Sequence, residues 1–115
     1  MTTEKLTDYC MKMKGVKESI KWEDHLCYTI GEKIFCMTGM TDESGVTLKV
    51  SSEDFTELTE RNGIEQAAYM ARGQWVGIQK RNALKPKEWE TYLNKAYELI
   101  KSKLTKKLQR EIDEA

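Results

Sequence analysis

The residues of this chain best suited to chemistry are few, and three of them fall close together. His25 is the only histidine, and Cys27 and Cys36 are two of three cysteines, the third being Cys10. Gly31-Glu32 separates two β-like runs, His25–Ile30 and Lys33–Thr38. A glycine at the first central position suits a type II′ turn and hence a two-residue hairpin. Such a loop sets the register: Ile30 faces Lys33, Tyr28 faces Phe35 and Leu26 faces Met37. Cys27 then lies opposite Cys36, with His25 two residues away on the same face. Three soft ligands so placed could hold zinc or copper, or the two thiols could form a disulfide. An odd cysteine count without C-x-x-C favours neither, and the thiols are read as small reduced hydrophobes.

Other catalytic patterns are missing from the sequence. The seven glycines form neither G-x-G-x-x-G nor a phosphate-cradling loop. One histidine excludes H-E-x-x-H, and no serine stands in a G-x-S-x-G elbow. The acidic residues are scattered over prospective helix surfaces. No catalytic residue, metal, cofactor or small-molecule substrate is therefore assigned, and the expectation is a protein that is not an enzyme.

Charge is the remaining chemical signal. The net charge is zero, yet Arg72 to Arg110 holds eleven basic against three acidic residues. Met1 to Ala71 holds eight basic and thirteen acidic. A chain so divided presents a dipolar surface that could steer an anionic partner to one side.

These side chains must be positioned by elements legible from spacing. Leu6, Tyr9, Cys10 and Met13 at i, i+3, i+4 and i+7 predict a first helix capped by Thr3 and ended at Gly15. The hairpin follows, then a third strand, Val46–Val50, with Val46, Leu48 and Val50 on one side. Ser51 or Ser52 caps a second helix whose first turn carries Glu53 and Asp54, where the helix dipole favours anions. Phe55 and Leu58 face inward, and Asn62-Gly63 stops it. Gln66–Met70 and Gln74–Gln79 read as two more strands. The only proline, Pro86, opens a long last helix with the stripe Trp89, Leu93, Ala96, Ile100 and Leu104. Continued, that stripe would centre on Lys107, so a break near Thr105 is expected, with Leu108 and Ile112 on a separate tail helix. Trp75, Trp89, Tyr97 and Phe35 are read as core, while Trp22 sits in a polar loop.

The order α-β-β-β-α-β-β-α predicts one α+β domain over residues 1–115. It has two layers, a five-stranded antiparallel sheet and helices on one face. With 39% apolar residues a core is expected. Met1-Thr2-Thr3-Glu4-Lys5 is unlike a signal peptide and no apolar run could span a bilayer, so a cytoplasmic protein without membrane association is expected.

Leu6-x-x-Tyr9-Cys10, Gly15-Val16-Lys17-Glu18 and Gly31-x-Lys33-Ile34-Phe35 together resemble the MmcQ/YjbR family. So do Leu48-Lys49, Arg72-x-x-Trp75-Val76 and Ala96-Tyr97-Glu98-Leu99-Ile100 with Lys103-Leu104. The resemblance runs from about Thr3 to Leu108. Many members carry His-Leu-Asn-Lys-x-x-Trp where this chain has Tyr69 to Trp75, and Ser-Tyr where it has Ala96-Tyr97. It implies a two-layer fold similar to type III secretion chaperones, no known catalytic activity, and a label as DNA-binding through hairpin wings. Under that label Arg72, Lys80, Arg81, Lys85 and Lys87 would meet phosphates. The alternative is a protein-interaction or chaperone-like module that holds a peptide or a second copy against Trp22 and the open sheet face.

Overall fold

The computed structural model describes residues 1–67 and 74–115. Its organising element is a six-stranded antiparallel sheet in the order β1-β2-β3-β4-β6-β5. The strands are β1 (Val16–Lys21), β2 (His25–Ile30), β3 (Lys33–Thr38), β4 (Val46–Lys49), β5 (Ile64–Gln66) and β6 (Trp75–Ile78). Helices α1 (Thr3–Met11), α2 (Ser52–Thr59), α3 (Pro86–Lys101) and α4 (Lys106–Asp113) accompany it, with a short 3-10 turn at Arg81–Ala83. No helix among the described residues is long and apolar enough to cross a membrane.

The expected α+β, antiparallel architecture is therefore present, with one strand more than the five predicted. The extra strand is β1, which pairs with β2 from Val16↔Ile30 to Lys21↔His25. It leaves no alternating apolar pattern in the sequence because it is a charged edge strand, largely exposed beyond Val16. Its turn also lacks glycine or asparagine: Trp22 (φ 52°) and Glu23 (φ 70°) take the left-handed conformation instead. Lysines at positions 17 and 21 suit an unpaired edge, where charge discourages further strand pairing.

The β2–β3 hairpin forms with the predicted boundaries, but its turn and register differ. Gly31 (φ 55°) and Glu32 (φ 67°) are both left-handed, which is type I′ rather than II′. Ile30↔Lys33 and Thr29↔Ile34 pair as the loop requires, and then a bulge shifts the ladder to Tyr28↔Cys36 and Leu26↔Thr38. Phe35 is the extra residue. A bulge lets successive side chains turn toward one face. Phe35 packs edge-on against Tyr97 of α3 at 5.9 Å, while the Cys36 thiol meets Cys10 of α1. Cys27 consequently opposes Met37, not Cys36. The cross-strand Cys27–Cys36 pair and the ligand group drawn from it do not exist, and all three cysteines are free and buried. The bond to Cys10, then burial, pushes the Cys36 thiol well above its ordinary value.

The helices start where capping chemistry dictates. Thr2, one residue before the predicted cap, accepts from the Lys5 N–H at 3.2 Å. Ser51 accepts from Asp54 at 3.2 Å, and Pro86 stands at the first position of α3. The break after α3 falls as predicted: Thr105 Oγ1 accepts from Leu108 N at 3.1 Å and starts α4. Leu104 and Leu108 then cover Gly31, and Ile112 covers Gly15. Leu6, Leu58, Leu93 and Trp89 from the helices meet Tyr28, Ile30, Val46, Leu48 and Val76 from the sheet in one core. The strand predicted over Gln66–Met70 begins earlier, at Ile64, and residues 68–70 lie outside those described.

Candidate nucleic-acid interface

Lysines at the connection between β6 and α3 form one exposed part of the basic surface. Lys80 follows β6 and lays its side chain across Gly63, where an added Cβ would sit 3.1 Å from the Lys80 Cβ. The Gly63 carbonyl accepts from both Gln79 N (2.7 Å) and Lys80 N (3.3 Å), which fixes the departure of the chain from the sheet. Lys85 is the N-cap residue of α3, and Lys87 lies in its first turn. All three side chains are exposed, and among the described residues none is paired with a carboxylate. Lys85 also borders a hollow of about 400 Å³ shared with Lys5, Met1 and Trp89. The positive end of the α3 dipole adds to this field.

One acidic group interrupts it. Glu88 accepts from Lys85 N at 2.9 Å and receives the Arg61 guanidinium bidentately, at 3.1 and 2.8 Å. Arg61 also reaches Glu57 at 3.2 Å. The Arg61 bond, then the backbone bond, holds the Glu88 carboxyl below its ordinary range, and Arg61 is raised in return.

Arg81, expected among the phosphate contacts, points inward instead. Its side chain is 8% exposed and makes five hydrogen bonds. Nε donates to Ser44 O (3.1 Å), Nη1 to Thr3 Oγ1 (3.0 Å) and Met1 O (3.3 Å), Nη2 to Thr38 Oγ1 (3.0 Å) and Thr41 O (3.0 Å). The Arg81 carbonyl accepts from Trp89 Nε1 at 2.9 Å. Arg81 thus ties the β3–β4 loop and the chain start to the head of α3, and has no donor left for a phosphate. A lone arginine after a strand reads the same in sequence whether it faces out or in. Arg72 lies outside the described residues.

The rest of the basic segment is carried away by α3. At 16 residues that helix is about 24 Å long, so Lys101, Lys103, Lys106 and Lys107 gather at the far end from Lys85. Lys95 is paired with Asp54 at 3.3 Å, and Lys101 with Asp113. Among the described residues the charge block is two separate groups in space, not one patch.

At that far end the structure brings together residues to which the sequence reading gave no role. Lys49, at the end of β4, is 4% exposed and holds its Nζ 5.9 Å from the Trp75 ring centre. Burial first, then the Lys103 charge, holds the Lys49 amine below the ordinary lysine value. The one available signal was a lysine inside the apolar run Val46-Thr47-Leu48-Lys49-Val50.

Comparison with known proteins adds a relationship to this geometry. The model of the YjbR family matches residues 11–99. The chain belongs to the YjbR family. Two solved structures share its fold. The Deinococcus radiodurans protein DR2400, which carries the domain DUF419, superposes with a TM-score of 0.88 at 21% identity, over 97% of this chain and 88% of that one. A Pseudomonas syringae protein superposes with a TM-score of 0.72 at 22% identity, over 86% of this chain and 98% of that one. No curated protein matches the YjbR chain.

Proposed function

We propose that this YjbR protein is a non-enzymatic nucleic-acid-binding protein that contacts DNA phosphates through Lys80, Lys85 and Lys87. The observation that carries this reading is that these three lysines are exposed and unpaired among the described residues, at the positive end of α3. Arg81 supports them from inside. Contacts of this kind position a duplex without reading its bases, so weak sequence preference follows.

Fluorescence-anisotropy binding to a short duplex over a salt series tests it. Three neutralised phosphates give a slope of about −2.7 in log K against log salt, and each lysine changed to glutamine removes about 0.9 from its magnitude. Absence of binding at low salt, or a slope untouched by the triple glutamine variant, overturns the proposal.

A second reading rests on Ile20 and Trp22, 58% and 66% exposed at the edge strand β1. Exposed apolar groups beside an open strand edge suit an extended peptide or a second copy of the chain. A strictly monomeric protein whose Trp22 fluorescence ignores peptides counts against it.

A further inference from the structure

The sheet face turned away from the core carries a hollow of about 490 Å³ that the lysine contacts do not use. Thr47 alternates along β4 with the core residues Val46 and Leu48, so it stands on that outer face, opposite Gly77 of β6. Met37 of β3, the other cross-strand partner of Thr47, lines one side with His25. Gln79, just after β6, lines the other. No lysine, arginine or carboxylate lines the hollow, which therefore suits an uncharged group. Several polar groups around it are already engaged. Thr38 Oγ1 donates to Gly45 O at 3.0 Å, the Ser44 and Thr41 hydroxyls are bonded at 3.0 Å, and the Asp24 carboxylate stands 2.8 Å from His25 Nδ1. Among the described residues the Thr47 hydroxyl and the Gln79 amide have no hydrogen-bond partner. The amide is nonetheless held in place. A Cβ added to Gly77 would stand 3.2 Å from Gln79 Nε2, and one added to Gly45 would stand 3.3 Å from Gln79 Oε1. It lies flat against two positions without side chains, so its donor and its acceptor are both preorganised.

We propose that this hollow receives an unpaired adenine base of a nucleic-acid strand whose phosphate meets Lys80, with the Gln79 amide reading the base edge. The inference rests on the nucleic-acid reading above and names the part of the ligand that the lysines do not touch. A glutamine amide offers one donor and one acceptor in a plane, the complement of the adenine N6 amino group and N7. Such a base has to be unstacked to lie against a sheet, as bases of single strands are. The absence of a side chain at Gly77 and the short one at Ala67 leave depth for a flat ring, and Met37 is a soft, adaptable wall. The volume falls within the range of small-ligand sites. Lys80 follows Gln79 directly in the chain, so a base at one and a phosphate at the other belong to neighbouring parts of one strand.

The first arm of the test uses adenosine, which carries no phosphate, titrated into the full chain labelled with nitrogen-15. NMR follows the Gln79 side-chain amide and the Gly77 backbone amide. Adenosine is expected to shift both saturably, and guanosine and uridine to bind at least about fivefold more weakly. Gln79→Met, at an exposed position, keeps the stem and is expected to lose that preference, read from the Gly77 signal. A variant with Lys80, Lys85 and Lys87 changed to glutamine is expected to bind adenosine as before. The second arm compares, by fluorescence anisotropy, a short single strand containing one adenine with the same strand abasic at that position. The abasic strand is expected to bind about fivefold more weakly to the parent protein and equally to Gln79→Met. Adenosine that leaves Gln79 and Gly77 unmoved, or that binds no better than guanosine and uridine, overturns this inference while the salt slope of the lysines stands. An adenosine response without salt-dependent strand binding overturns the phosphate reading instead, and with it the strand proposed here.

Discussion

Replacing Arg81 by methionine separates a structural role from a phosphate contact. Methionine keeps most of the apolar stem but deletes five hydrogen bonds from a side chain that is 8% exposed. Three acceptors are main-chain oxygens of Met1, Thr41 and Ser44, and two are the hydroxyls of Thr3 and Thr38. Bonds to a charged donor are worth about 1.5–3 kcal/mol each, but these share one guanidinium and water recovers the outer acceptors. Thr38 Oγ1, which also donates to Gly45 O at 3.0 Å, is the deepest and loses most. A net loss of about 3–5 kcal/mol follows, the range seen when a buried charged group is taken from its partners. With a urea slope of about 2 kcal/mol per molar, the unfolding midpoint falls by about 2 M. Urea denaturation followed by tryptophan fluorescence measures it, with Trp89 reporting through its own bond to the Arg81 carbonyl. Arg81→Lys keeps the charge but not the fork, and is expected to recover only a minor part. A loss below about 1 kcal/mol refutes this account of the residue. So does normal stability combined with a salt slope for DNA reduced by about 0.9, the mark of a phosphate ligand.

Two further changes probe the head and tail of α3. Glu88 has its folded carboxyl below the unfolded value, so its contribution is present above an unfolded value of about 4.3 and fades as acid protonates the folded form. Glu88→Gln is therefore expected to cost about 1 kcal/mol at pH 7 and to converge with the parent as pH falls below about 4, as paired urea titrations would show; a constant difference across that range refutes it. Gly31→Ala places a Cβ 2.7 Å from Leu104 Cδ1 at a φ of 55°. Strain in the turn and displacement of the α3–α4 connection are expected to cost about 1–3 kcal/mol and to loosen α4, read as faster amide exchange from Lys106 onward. Unchanged exchange there would show that α4 does not depend on the hairpin.

What the sequence makes legible here is whatever is written locally. Ser51 before Glu53-Asp54, Pro86 at the head of α3 and Thr105 at the head of α4 each announce themselves, because a cap is a bond across three residues. The charge-bearing stripe position at Lys107 foretold the break for the same reason. Phe35 and β1 were not legible. A bulge depends on whether both Phe35 and Cys36 find room under α3 and α1, which no local pattern records. A turn built on Trp22 and Glu23 carries none of the residues that mark left-handed backbone cheaply. That DR2400 keeps this fold at 21% identity agrees with a frame specified by pattern rather than by particular side chains.

Charge behaves differently again. Eleven basic residues within one segment suggested one surface, but a helix of 16 residues must carry its ends about 24 Å apart. That is beyond the screening length of about 8 Å at physiological salt, so the two groups do not act as one field. Arg81 is turned inward and Lys95 and Lys101 are paired, which leaves Lys80, Lys85 and Lys87 to stand for the first group. If binding chemistry resides in this fold, its strength is set by how few of the cations remain without internal partners, not by how many the segment contains.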